Sequence, residues 1–180
     1  VLPVNDAPVN QLPGSMTVKE DGSLSLSGIS VKDVDAGSAP MAMVLRVEHG
    51  VLTLLGAAGA VSVQGTGSNE MTLVGSLADL NQLLASSLHY EPAKDFWGQD
   101  TLTVTTSDQG NSGAGGAKSD SDQVAITVTP EPDMPSLTVT QHEFHVLQGA
   151  VIPLGIDASV VNPATGELSI RISGLDGAQV

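Results

Sequence analysis

The chain contains no cysteine, which excludes thiol nucleophiles, thiolate metal sites and disulfide bridges. Secretion is not excluded, because extracellular bacterial modules often do without bridges. Aromatic residues are almost as scarce. Tyr90, Phe96, Trp97 and Phe144 are the only four, too few for a base-stacking platform or an aromatic sugar cleft with several subsites. Basic residues number 6 against 20 acidic ones, for a formal net charge of -14. Phosphate binding needs clustered Lys and Arg, so nucleic acid is not an expected partner. Long hydrophobic runs are missing too. The most apolar stretch, residues 51–63, is broken by Gly56 and Gly59 and is too short to span a bilayer, so membrane insertion is not expected. No signal peptide is visible and the first residue is Val1, from which we expect a piece of a longer chain whose targeting signals lie elsewhere.

What remains is a chain of 180 residues with 41% hydrophobic content, enough to bury a core in spite of the charge. Most of it reads as short β-type runs separated by Gly, Ser, Asp and Pro. SMTVK (15–19), SLSLS (23–27), MVLRVEH (43–49), VLTL (51–54), VSV (61–63), MTLV (71–74), LHY (88–90), TLTVTT (101–106) and QVAITVT (123–129) alternate with period two. Each set, such as Met43, Leu45 and Val47 or Val124, Ile126 and Val128, marks one buried face. Many short strands at this spacing predict an antiparallel β-sandwich. One segment breaks the rhythm. SLADLNQLLASS (76–87) carries Leu77, Leu80, Leu83 and Leu84 at helical spacing, with Ser76 as N-cap and Asp79 in the first turn. It predicts one short helix over the end of a sheet, with its leucines in the core.

Two stretches, PVNDAPV (3–9) and PEPDMP (130–135), place an Asp between prolines where no strand can run through. They divide the chain into a linker over 1–9, a β-sandwich repeat over 10–129, a second linker over 130–135 and part of a second sandwich over 136–180.

The acids cluster. Asn5 and Asp6 lie in the first linker, Asp33 and Asp35 in SVKDVDAGS, and Asp108 in TTSDQGN. In an extended segment Asp33 and Asp35 share a face, roughly 7 Å apart, and repel by about 0.6 kcal/mol in water or about 2 kcal/mol at an effective dielectric near 20. Either the pair is solvated or something positive sits between the groups. Whether the three loops share one end depends on the strand count, which periodicity does not fix. If they do, the set is all oxygen and suits Ca²⁺ rather than zinc or copper. Glu20 with Asp21, and Glu131 with Asp133, form smaller acidic groups. Asp120 and Asp122 alternate just before a strand; they could form another ligand pair, but read rather as edge charges that discourage unwanted strand pairing.

Enzyme signals are poor, and no catalytic function is expected. HEFH (142–145) is not HExxH, and on a strand His142 and His145 face opposite sides. Neither GAGG nor GTGS completes a phosphate loop, and GNSGA lacks the second Gly of a nucleophile elbow. Paired acids could serve a glycosidase, but here they sit in turns with no aromatic residues nearby.

The blocks PVNDAPV, TVKEDGSL, SVKDVDAGS, LADLNQLLASSLHYEPAKDFWGQDTLTVTTSDQGNSG and SDQVAITVTP, in this order, closely resemble the tandem cadherin-like repeats of giant secreted bacterial surface proteins. Those proteins are biofilm-type adhesins of the RTX class, exported by type I secretion. The resemblance covers residues 1 to about 135. It implies a Greek-key, cadherin- or immunoglobulin-like β-sandwich with Ca²⁺ in the joints between neighbouring repeats of the same chain. It also implies that Asp33 and Asp35, as the DxD pair, join Asp108, Asn5 and Asp6 in a site at the N-terminal end. Glu20 would face the following joint with Asp133. In the second domain VNPATGE (161–167) stands where the neighbouring repeat type carries an acidic run, so a weak or ion-free joint is expected there.

The expected function is a secreted or surface-attached, calcium-stabilised extender that holds a distal adhesive module away from the cell, any surface glycan being met by other domains. The alternative is a module that itself binds polysaccharide through Tyr90, Phe96 and Trp97, although Trp97 is expected in the core.

Overall fold

The computed structural model describes residues 4–85, 87–111, 113–132, 136–139 and 155–159, which fall into two units, Val1–Pro130 and Glu131–Val180. In the first unit the elements are β1 (Val9–Gln11), β2 (Met16–Lys19), β3 (Leu24–Ser25), β4 (Ser30–Lys32), β5 (Pro40–Arg46), β6 (Gly50–Leu54), β7 (Ser62–Gln64), β8 (Glu70–Ser76), α1 (Leu77–Leu84), β9 (Leu88–Pro92), β10 (Gly98–Ser107) and β11 (Ser119–Thr129). In the second unit β12 (Ser136–Val139) pairs antiparallel with β13 (Ile156–Ser159).

The first unit is mostly β with one helix. A six-stranded sheet runs in the order β2-β11-β10-β5-β8-β7, and a three-stranded sheet in the order β3-β9-β6. All pairs are antiparallel except β2 with β11. β1 and β4 form a separate antiparallel pair. The two larger sheets enclose one core. Met41, Met43, Leu45, Met71, Leu73, Leu102, Val104 and Ile126 enter it from the large sheet, and Leu52, Leu88 and Tyr90 from the small one. Each fully buried aliphatic side chain contributes roughly 1.5–3 kcal/mol relative to exposure. In β10 and β11 the even-numbered residues are the ones turned inward, as their alternation requires.

The helix forms where the leucine spacing places it. Ser76 caps it, accepting from the Asp79 N–H at 3.2 Å and donating to the Asp79 carboxylate at 2.6 Å. Leu80, Leu83 and Leu84 are buried and Leu77 packs against the core. Asn81 does what the leucines cannot. Its side-chain oxygen accepts from Val31 N–H at 2.9 Å and its amide donates to Val31 C=O at 2.9 Å. The amide thereby stands in for a neighbouring strand beside β4, whose backbone would otherwise lack those partners.

Several local expectations change. SLSLS yields only Leu24–Ser25 as strand, although Leu26 is buried and bonds Leu88 C=O at 2.9 Å. Asp120 and Asp122 lie within β11, not before it. Asp120 guards no edge there, since it accepts from Asn10 N–H at 2.8 Å and ties β1 to the sandwich. Trp97 is not in the core. It is 58% exposed where the chain enters β10, while its neighbour Phe96 turns inward and stacks on His49 with ring centroids 4.3 Å apart.

Candidate functional site

The first linker and the loops after β4 and β10 meet at one end of the first unit. Asn5 donates its side-chain amide to Asp108 at 2.6 Å and to Gly116 C=O at 2.8 Å. Its backbone N–H bonds Ala114 C=O at 2.9 Å. Asp6 N–H donates to the Asp35 carboxylate at 3.1 Å. Adjacent residues of the linker thus bind two different loops, which brings Asn5, Asp6, Asp33, Asp35 and Asp108 together.

The chemistry of the cluster divides in two. Asp108 is buried and both of its oxygens are engaged. One accepts from Gly110 N–H and Lys118 N–H, each at 2.8 Å, and the other from Asn5. Gly110, at φ 71°, makes the sharp turn that aims its N–H back at the carboxylate; a Cβ there would come within 2.8 Å of the Ala117 nitrogen. The Lys118 ammonium donates to the backbone carbonyl of Asn5. Burial alone would raise the Asp108 pKa. The two backbone donors, the Asn5 amide and the charge of Lys118 outweigh it and hold the carboxyl below its ordinary range.

Asp33 and Asp35 are different. One Asp33 oxygen accepts from Asp35 N–H at 3.1 Å and Ala36 N–H at 3.0 Å, folding the KDVDAG turn around itself. The other Asp33 oxygen and the second oxygen of Asp35 are buried and carry no hydrogen bond among the described residues. Burial, together with the close Asp35 carboxylate, raises the Asp33 pKa. Each carboxylate thus keeps one buried oxygen with no hydrogen-bond donor among the described residues.

Glu20 lies at the other end. Its N–H bonds Thr129 C=O at 2.9 Å, whereas Asp108 pairs with Lys118 just before β11 begins. The strand between them is about 33 Å long, given roughly 3.3 Å per residue. Glu20 is buried, while Asp133, its expected companion, lies outside the described residues, as do His142, His145 and residues 161–167. Among the described residues no three His, Asp or Glu side chains form a group able to hold a metal ion. Within the cluster, the carboxylate oxygens with no hydrogen-bond partner among the described residues belong to Asp33 and Asp35, not to Asp108.

Two residues of consequence were not singled out from the sequence. Asp100 is buried and accepts from Glu48 N–H at 2.9 Å, His49 N–H at 3.0 Å, Thr101 N–H at 2.7 Å and Tyr90 O–H at 2.7 Å. Burial, then this bond and the Asp100 charge, push the Tyr90 hydroxyl far above its ordinary pKa. Lys118 is the other. Both are even-numbered and in phase with the inward faces of β10 and β11, so extending each alternation beyond its apolar residues would have found them.

Residues 5–129 match the bacterial Ig domain family. The chain belongs to that family. A search of curated proteins found no match to the chain. The mostly β architecture of this bacterial Ig domain, with one helix, is that of an Ig-like β-sandwich. Such domains are commonly parts of bacterial surface proteins and typically carry no catalysis. Among the described residues of this one, no helix is long and apolar enough to cross a membrane.

Proposed function

We propose that this bacterial Ig domain is a non-catalytic extender repeat of a large secreted surface adhesin of the RTX type, stiffened by Ca²⁺ at its N-terminal joint and supporting surface attachment and biofilm formation. The observation that carries the calcium part is the pair of buried carboxylate oxygens, one on Asp33 and one on Asp35, that no hydrogen-bond donor among the described residues reaches. A hard divalent cation takes oxygen ligands and carries the charge that would cancel two carboxylates. Asp33 and Asp35 would hold it, with Asp6 beside them in the linker. Because the Asp6 N–H bonds Asp35, fixing the carboxylate pair also fixes the direction in which the linker enters.

Thermal unfolding of the chain in Ca²⁺ and in chelator tests this reading. A higher midpoint in Ca²⁺ that disappears in Asp33→Asn/Asp35→Asn is the expected result. An identical midpoint in both media would remove calcium from the account.

The polysaccharide reading keeps one observation in its favour, the exposed indole of Trp97. Tyr90 is fully buried and Phe96 is stacked on His49, so Trp97 alone of the three presents an open aromatic face. A glycan array compared between the wild-type chain and Trp97→Ala tests it, and absence of binding by both sets it aside.

A further inference from the structure

We infer that Lys118 serves as a built-in cation at the Asn5–Asp108 half of the cluster, fastening the linker to the sandwich there without a metal ion. The inference deepens the calcium reading by saying which half of the joint an ion serves, yet the fastening itself stands without calcium.

Three features support it. First, the oxygens that a hard cation would seek in this half are already taken. Both Asp108 oxygens carry N–H donors, and the Asn5 carbonyl receives the Lys118 ammonium. Second, the charges match by halves. Asp108 contributes one negative charge, and Lys118 brings one positive charge to the same group of residues. Asp33 and Asp35 contribute two negative charges, and two of their oxygens are buried without a donor among the described residues, a deficit that one divalent ion would meet. Third, the linker is held here by more than the ammonium. Asn5 bonds Ala114 through its N–H, and Asp108 and Gly116 through its amide, and Val4 bridges to Ala114. Lys118 also lies next to β11, with its own N–H on Asp108 and its C=O accepting from Asp108 N–H at 3.1 Å. The ammonium therefore connects the linker to the β10–β11 pair of the large sheet, and its stem is anchored at the base.

The consequence is a joint with two modes of closure. The Asn5–Asp108 half is closed at all calcium concentrations, and the Asp33–Asp35 half closes only with the ion. In chelator the linker would stay attached at one point and loosen at the other, so that calcium sets how stiffly the linker is oriented rather than whether it is attached.

Amide hydrogen exchange on the full 180-residue chain, in chelator and in Ca²⁺, tests the inference with Lys118→Met and Lys118→Arg alongside the wild type. In chelator, the Asn5 amide of Lys118→Met should exchange about tenfold faster than that of the wild type, and Lys118→Arg should restore most of the protection. In the wild type, Ca²⁺ should slow exchange at the Asp35 and Ala36 amides and leave the Asn5 and Gly110 amides unchanged. If Lys118→Met leaves the Asn5 amide as protected as before, the inference is overturned. It is equally overturned if Ca²⁺ protects Asn5 and Gly110 in the wild type as strongly as Asp35 and Ala36, a comparison that needs no variant to fold. If Ca²⁺ changes exchange nowhere while Lys118→Met still loosens Asn5, the fastening by Lys118 stands and the calcium reading falls.

Discussion

Asp100, near the start of β10, and Asp108, the residue just after it, lie on one inward face and close opposite ends of the same sandwich. Eight residues of extended chain set them about 26 Å apart. Each is buried and each gathers donors from several segments: Asp100 from Glu48, His49, Thr101 and Tyr90, Asp108 from Asn5, Gly110 and Lys118. Between them Leu102, Val104 and Thr106 complete the stripe. The strand is thus apolar where it crosses the core and anionic where it reaches either end, and at each end the carboxylate organises the turns around it.

Removing the Asp100 carboxylate should therefore cost more than a surface acid would. Asp100→Ala removes the acceptor of the Glu48, His49 and Thr101 amides and leaves the Tyr90 hydroxyl only the longer bond to His49 C=O at 3.2 Å, and should lower stability by about 3 kcal/mol. Tyr90→Phe removes one bond to a charged group and should lower it by about 1.5 kcal/mol. Chemical denaturation checks both, and equal effects would contradict the ranking.

Gly50 should tolerate no side chain. A Cβ there would sit 2.5 Å from both the Tyr90 ring and the Glu91 carbonyl oxygen. Gly50→Ala is expected to displace the ring and weaken its bond to Asp100, with a loss of about 2 kcal/mol. The near-ultraviolet signal of the lone tyrosine should change in the same variant.

Asn81→Ala should loosen α1 from β4, because both Val31 backbone groups lose their partner. A destabilisation of about 1–3 kcal/mol is expected. The Val31 amide should also exchange faster than its neighbours in β4, which distinguishes local undocking from a uniform loss.

The calcium pair should behave as a liability in chelator. Asp33→Asn relieves the repulsion between the two neighbouring carboxylates and is expected to stabilise the ion-free chain by about 1 kcal/mol, discounted for partial solvent screening. It should reduce the calcium response at the same time. Opposite signs in the two media are the signature, and destabilisation in both would contradict it.

The pH dependence separates Asp33 from Asp108. The folded-state pKa of Asp33 is raised, so its charged form penalises the fold, fully above that raised value, and the penalty fades as pH falls through it toward 3.8. The stability gap between Asp33→Asn and the wild type in chelator should therefore narrow on acidification over that window. Asp108 has a lowered folded-state pKa, so its contribution is fully present above 3.8 and is lost as pH falls through the lower folded value. Asp108→Asn should accordingly flatten the acid limb of the wild-type curve. Thermal midpoints of the three proteins across pH measure both effects.

The sequence alone determined what local rules govern. Period-two alternation specified β5, β8, β10 and β11, because a half-buried strand must show its apolar residues every second position. Leucine spacing and Ser76 specified α1, because 3.6-residue periodicity and an N-cap are written in consecutive residues. The bulk of the all-β sandwich and the clustering of acids in loops were legible for the same reason. What only the tertiary structure decided depends on partners distant in the chain. β1 and β4 are too short to announce themselves, and each is held by a partner elsewhere, Asp120 for Asn10 and Asn81 for Val31. Trp97 reads as core by residue type, yet its place at the entry to β10 leaves it exposed. The five residues Asn5, Asp6, Asp33, Asp35 and Asp108 look alike as oxygen ligands in the sequence. Only the folded chain shows that Asp108 is satisfied by N–H groups from Asn5, Gly110 and Lys118 while Asp33 and Asp35 each keep a buried oxygen with no donor among the described residues, because hydrogen-bond donors are assigned by three-dimensional proximity and not by residue type.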